Sequence, residues 1–180
     1  MKKVTKVLLL LLSLSLVFTG LIVAVSANDD TSSAEGATYV DVGGMQHTTD
    51  DLAVALDEAG DGTTVTLMGD SVIDETYVVT KNLTLDIGDY TLTSELETAF
   101  KVNSDVTFKI VGEGTINVAG MLIYNGTSDL DNLSVTVEGR NQGIKINHTG
   151  TVYGNVCYMS SGNWNFTNLT VLRLPPCGSA

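Results

Sequence analysis

Basic side chains are scarce: nine Lys and Arg stand against 21 Asp and Glu in 180 residues, a formal net charge of −12. Every approach to a polyanion would be repelled, which argues against nucleic acid and anionic lipid and leaves cations as guests. Histidine is nearly absent. His47 and His148 stand about a hundred residues apart with no Ser, Cys or acid arranged around either as a triad, so both are expected at the surface or in loops. With only two cysteines, Cys157 and Cys177, a four-ligand zinc site is excluded. They either pair in an oxidising compartment, closing a loop worth ~3 kcal/mol, or stay as two thiols. No Gly-rich segment matches a phosphate loop; Gly43-Gly44 and Gly60-Asp61-Gly62 read as turns. Proline is confined to Pro175 and Pro176, where it forbids further strand pairing.

The N-terminus decides the compartment. Lys2, Lys3 and Lys6 precede an uncharged run from Val7 to Ala27 that closes on small residues, the pattern of a secretory signal peptide over 1–27. A retained membrane anchor is the competing reading, because the run is long for a signal core. Cleavage removes three lysines and no acid, leaving six basic against 21 acidic residues, a net charge of −15. The expected location is outside the cell or on its surface. Residues 28–37, rich in Ser, Asp and Thr, read as a disordered linker.

One helix is expected, over 49–59 inside an N-terminal cap spanning 38–62. Thr49 serves as N-cap, Leu52, Ala55, Leu56 and Ala59 recur at helical spacing, and Gly60 stops the run. From 63 to 174 short strands repeat one pattern: Val65-Thr66-Leu67, Leu83-Thr84-Leu85, Val106-Thr107-Phe108, Leu133-Ser134-Val135 and Leu169-Thr170-Val171. Asn or Asp precedes four of the five, at Asn82, Asp105, Asn132 and Asn168, and the steps between copies are 18, 23, 27 and 36 residues. A sandwich has no reason to repeat one strand-Gly-strand order with variable insertions, whereas a solenoid stacks such coils into one core and lets loops bulge outward. The fold expected is therefore all-β, a right-handed parallel β-helix of four to five coils with a short N-terminal capping helix. Stacked by the motif, its outward column is a hydroxyl ladder of Thr66, Thr84, Thr107, Ser134 and Thr170, which reads as ordinary strand threonine. Residues 175–180 form a tail, and the absence of a closing helix there suggests a truncated or frame-shifted piece of a longer protein.

The run Leu52-Ala53-Val54-Ala55-Leu56, then Gly62-Thr63-Thr64-Val65-Thr66-Leu67, then Lys81-Asn82-Leu83-Thr84-Leu85-Asp86-Ile87-Gly88, resembles the capped start of pectate-lyase-like β-helix repeats in large prokaryotic surface proteins. The resemblance covers roughly residues 38 to 147. It implies a stalk or adhesive module of an adhesin-like chain, with carbohydrate or a host surface as partner and no cofactor. The alternative implied by the same scaffold is a polysaccharide lyase or glycoside hydrolase. Such an enzyme needs two carboxylates about 5 to 10 Å apart, and its candidates are Asp86, Asp89 and Glu113, with Glu138 beside them and calcium as the ion a lyase would use. Asp86 is expected to face Lys109 on the next coil as an ion pair, which weakens that alternative. Trp164 is expected as an apolar plug in the last coil. Of six Asn-x-Ser/Thr sequons, Asn125 and Asn147 are expected in loops and are the better glycan acceptors.

Overall fold

The structure is a computed structural model that describes residues 36–126, 132–150 and 155–173. The stretch expected as signal peptide, residues 28–35 of the linker and the tail with Cys177 lie outside those residues. Ala37, expected to end the linker, lies in a strand and is fully buried.

The cap is more elaborate than its sequence announces. Strand β1 (Ala37–Val40) pairs antiparallel with β2 (Gln46–Thr49), and helix α1 follows over Leu52–Glu58. Asp51, not Thr49, is the N-cap: its carboxylate accepts the Ala53 and Val54 N–H groups at 2.8 and 3.3 Å. The Thr49 hydroxyl accepts the Asp51 N–H instead. At the other end the Lys81 ammonium, reaching from the coils, donates to the Asp57 and Ala59 carbonyls at 2.5 and 2.6 Å. A cation there satisfies carbonyls that the helix leaves open and suits the negative end of its dipole.

Four coils of three strands follow. The first is β3 (Thr63–Leu67), β4 (Ser71–Val72) and β5 (Tyr77–Val79); the second is β6 (Leu83–Asp86), β7 (Thr91–Ser94) and β8 (Thr98–Val102). The third is β9 (Thr107–Gly112), β10 (Thr115–Val118) and β11 (Met121–Asn125); the fourth is β12 (Ser134–Gly139), β13 (Ile144–His148) and β14 (Cys157–Met159). Strands β15 (Asn163–Thr167) and β16 (Leu169–Arg173) open one more coil. All pairs between coils are parallel, giving three sheets: β3, β6, β9, β12, β15; β4, β7, β10, β13, β16; and β5, β8, β11, β14. The chain is a parallel β-solenoid of about four turns.

The inward alternation holds. Val65, Leu67, Leu83, Leu85, Val106, Phe108, Leu133 and Val135 are all buried. Each such side chain contributes about 1.5–3 kcal/mol over leaving it in water, and Phe100 and Phe108 meet at 5.0 Å between ring centres in the middle of the stack.

The register between coils differs from the motif alignment. Val65 lies beside Leu85 and Leu83 beside Phe108, so both steps are two residues longer than the motif suggests. A slip of two keeps every side chain on its own face, so inside-outside alternation is blind to it. Only the step from β9 to β12 follows the motif, with Thr107 beside Ser134 and Phe108 beside Val135. The fifth motif copy falls in another sheet: Leu169 and Val171 pair with Ile144 and Ile146, while Trp164 and Phe166 of β15 continue the Val135 and Val137 columns. Asp105, Asn132 and Asn168 all take positive φ, at 57°, 64° and 51°, a conformation Asn and Asp tolerate better than other side chains. The same Asn-led corner therefore turns the chain at two different places in a coil. At the second, the Asn168 amide donates to the Gly139 and Arg140 carbonyls.

Candidate functional site

The observed register stacks the corners that carry the candidate acids coil over coil, the Glu113 N–H donating to the Gly88 carbonyl and the Arg140 N–H to the Gly112 carbonyl, each at 2.6 Å. Asp86 stands beside Thr66 and Val111, and Lys109 beside Thr84 and Thr136, so the expected pair of Asp86 with Lys109 does not form. Arg140, two coils on, binds the Asp86 carboxylate instead, and the Gly88 N–H donates to its other oxygen at 3.0 Å. A carboxylate held this way is a bracing contact across coils. Asp89 lies exposed in the turn after β6, Glu113 accepts the Gln142 N–H at 3.5 Å, and Glu138 sits between Val111 and Thr167.

The hydroxyl ladder is likewise broken. Thr66 neighbours Asp86, Thr84 neighbours Lys109, and Thr170 lies in the second sheet beside Lys145; only Thr107 and Ser134 remain adjacent. Neither glycan acceptor lies in a loop. Asn125 ends β11, is 1% exposed, and donates its amide to the Ser161 carbonyl. Asn147 lies inside β13 with its amide donated to Asn117 Oδ1 at 2.9 Å. An acceptor nitrogen buried as Asn125 is has no access to a modifying enzyme in the folded chain. Burial pushes the Cys157 thiol up to about 11, and its pairing with Cys177 lies outside the described residues. Trp164 packs half-buried against the core and donates its indole N–H to the Ser161 carbonyl.

Histidine gives the largest surprise. His148, expected at the surface or in a loop, is 1% exposed in β13, and among the described residues neither ring nitrogen has a hydrogen-bond partner. His47 meets expectation better: it is part-exposed, binds Asp41 at 2.8 Å and stacks on Tyr39 at 5.2 Å. Asp41 is held below its usual 3.8 chiefly by the Met45 N–H, then by His47 and by the Gly43 N–H. The Tyr39 hydroxyl donates to Glu58, which raises its pKa to about 12. These contacts tie the hairpin of β1 and β2 to the end of α1.

A polar surface lies on the second sheet, bounded by the exposed Val72 on β4 and Leu172 on β16. Thr91, Thr115, Lys145 and Thr170 form one outward column, and Thr93, Asn117 and Asn147 form the next. Their inward neighbours Leu92, Ile116 and Ile146 are buried, which fixes these polar side chains outside. At the capped end the surface enters a groove of about 860 Å³, floored by Thr91 and Thr93 and walled by Ser71, Asp50, Asp70 and Asp74. One Asp70 oxygen accepts the Thr91 N–H at 2.8 Å, so sheet and wall are joined. Among the described residues, no three His, Cys, Asp or Glu are grouped to hold a metal ion.

Two residues with no signal in the linear sequence come together on the third sheet. Tyr124 and Tyr158 are 34 positions apart, yet stand in register on β11 and β14 with rings stacked 5.4 Å between centres. Only the pairing of coils reveals them. Compared with known proteins, the chain matches no family model, no curated protein and no solved structure.

Proposed function

We propose that this chain is a non-catalytic, exported β-solenoid module of an adhesin-like surface protein, related to the pectate-lyase-like repeats, that binds carbohydrate along its second sheet. The observation that supports this reading is the aligned column of Thr93, Asn117 and Asn147 beside Thr91, Thr115 and Lys145, running into the 860 Å³ groove. Hydroxyls and amides both donate and accept, as a sugar's hydroxyl groups require. Because the strands hold them at fixed spacing of ~4.8 Å, little side-chain order remains to be imposed on binding. A linear glycan laid along the solenoid would meet Thr93, Asn117 and Asn147 on three successive coils, between the exposed apolar Val72 and Leu172.

The purified exported chain, applied to an immobilised glycan array, should bind at least one class, and the double variant Asn117→Leu with Asn147→Leu should lose it. Absence of binding to any glycan would leave only a spacer role. Turnover of a uronate polymer, abolished by Asp86→Ala, would support the enzymatic alternative instead.

A further inference from the structure

We infer that the outer face of the third sheet carries a second, separate sugar site, a stacking cleft for one neutral hexose unit built on Tyr124 with Tyr158 behind it. Val78, Lys101, Tyr124 and Tyr158 form one column in register along β5, β8, β11 and β14. Their strand neighbours Phe100 and Ile123 are fully buried, so the column points outward. Tyr158 is 46% exposed and stacks on Tyr124 with the ring planes 24° apart.

Tyr124 also lines a cleft of about 260 Å³ shared with Lys101, Glu97, Thr76, Thr98 and Met121. That volume lies just below the range of ~300–1,000 Å³ typical of small-molecule sites, which suits a single sugar ring. The axial C–H face of a pyranose is apolar and matches an aromatic face, while its hydroxyls need donors and acceptors at the rim. Lys101 supplies the donor and Glu97 the acceptor. Among the described residues no carboxylate lies within ion-pair distance of Lys101, so its ammonium is not already committed.

Charge then selects among glycans. A chain whose acids outnumber its bases by more than two to one repels polyanionic sugars, and Glu97 at the rim adds to that. The stack is favourable in itself, so a purely structural tyrosine ladder is the competing account. Tyrosine offers a broad ring at the entropic cost of only two side-chain torsions, the property that suits it to recognition surfaces. Gly126 bears on the ring's position: a methyl group added there would overlap the Tyr124 hydroxyl.

The inference takes from the proposed function only its ligand class, and its variants are distinct from those of the second sheet. Cellohexaose, mannohexaose and galactohexaose are titrated calorimetrically into the full exported chain and into Tyr124→Ala, Tyr124→Phe, Lys101→Gln and Gly126→Ala. At least one hexaose should bind wild type. It should bind Tyr124→Ala tenfold or more weakly, Lys101→Gln and Gly126→Ala severalfold more weakly, and Tyr124→Phe nearly as well as wild type, because the ring face is kept. Lys101→Gln keeps the test decisive if the alanine variant unfolds. The inference is overturned if no neutral hexaose binds, if binding survives Tyr124→Ala in folded protein, or if only Asn117→Leu with Asn147→Leu abolishes it. That last result would leave the second-sheet reading standing.

Discussion

The two ends of the solenoid bury their coils very differently. At the first, α1 lays Leu52, Ala55 and Leu56 into the core, and β1 pairs antiparallel with β3 along its open edge. At the other, Phe166 and Val171 occupy inward positions beside the fully enclosed Val137 and Ile146, yet are 41% and 53% exposed. An inward direction is therefore not burial. A coil of this kind has no core of its own, and each apolar side chain is covered only when another layer lies over it. The cap replaces that missing layer with a helix and extends the sheet through β1, which runs opposite to β3, to β2 as its edge strand.

If layering sets the energetics, truncations should grade along the stack. Leu85→Ala in the middle and Leu56→Ala under the cap should each cost about 2–5 kcal/mol, whereas Val171→Ala should cost well under half as much; urea unfolding of the three variants measures this. Equal losses at Val171 and Leu85 would break the comparison. A smaller effect of opposite sign is expected at His148 in the fourth coil, whose ring nitrogens have no partner among the described residues. Leucine there should stabilise the fold by about 1–2 kcal/mol, since an unsatisfied buried polar group carries a penalty of that order; a lower urea midpoint would contradict it. Loss of the N-cap in Asp51→Ala should cost ~1 kcal/mol, read as faster amide exchange across α1 with the third coil unchanged.

Least in size, acid should loosen the cap before the coils. The folded chain holds Asp41 below the ordinary carboxylate range, so its contribution is complete above that range and is lost as pH falls through the lowered value. Amide exchange at Gly43 and Met45, whose N–H groups donate to Asp41, should rise in acid more steeply than at Ile110, and Asp41→Asn should remove the difference.

Much of the fold was legible because alternation carries it. Leu83, Leu85, Phe108 and Val135 read as inward from their hydroxyl and Asn neighbours, and they are. What alternation cannot carry is the partner of each residue, since a two-residue slip leaves faces intact. From that slip follow the misplaced partner of Asp86 and the broken ladder. Asn168 misled for a different reason: one corner geometry serves two corners, so Leu169-Thr170-Val171 imitates a first-sheet strand while pairing in the second. The hairpin of β1 and β2 went unread because Gln46-His47-Thr48-Thr49 has no apolar alternation to announce a strand. Tyr124 and Tyr158 were invisible for want of a register, as outward aromatics 34 residues apart have no sequence signature.

Register is tested most directly by cross-linking. In a background lacking Cys157 and Cys177, Thr84→Cys is combined with either Lys109→Cys or Thr107→Cys and oxidised mildly. Parallel neighbours ~4.8 Å apart fall within the Cα separation a disulfide spans, whereas positions displaced by two along the strand do not. The stack described above predicts rapid closure of the 84–109 bridge and little of 84–107; preferential closure of 84–107, or of neither, would contradict it.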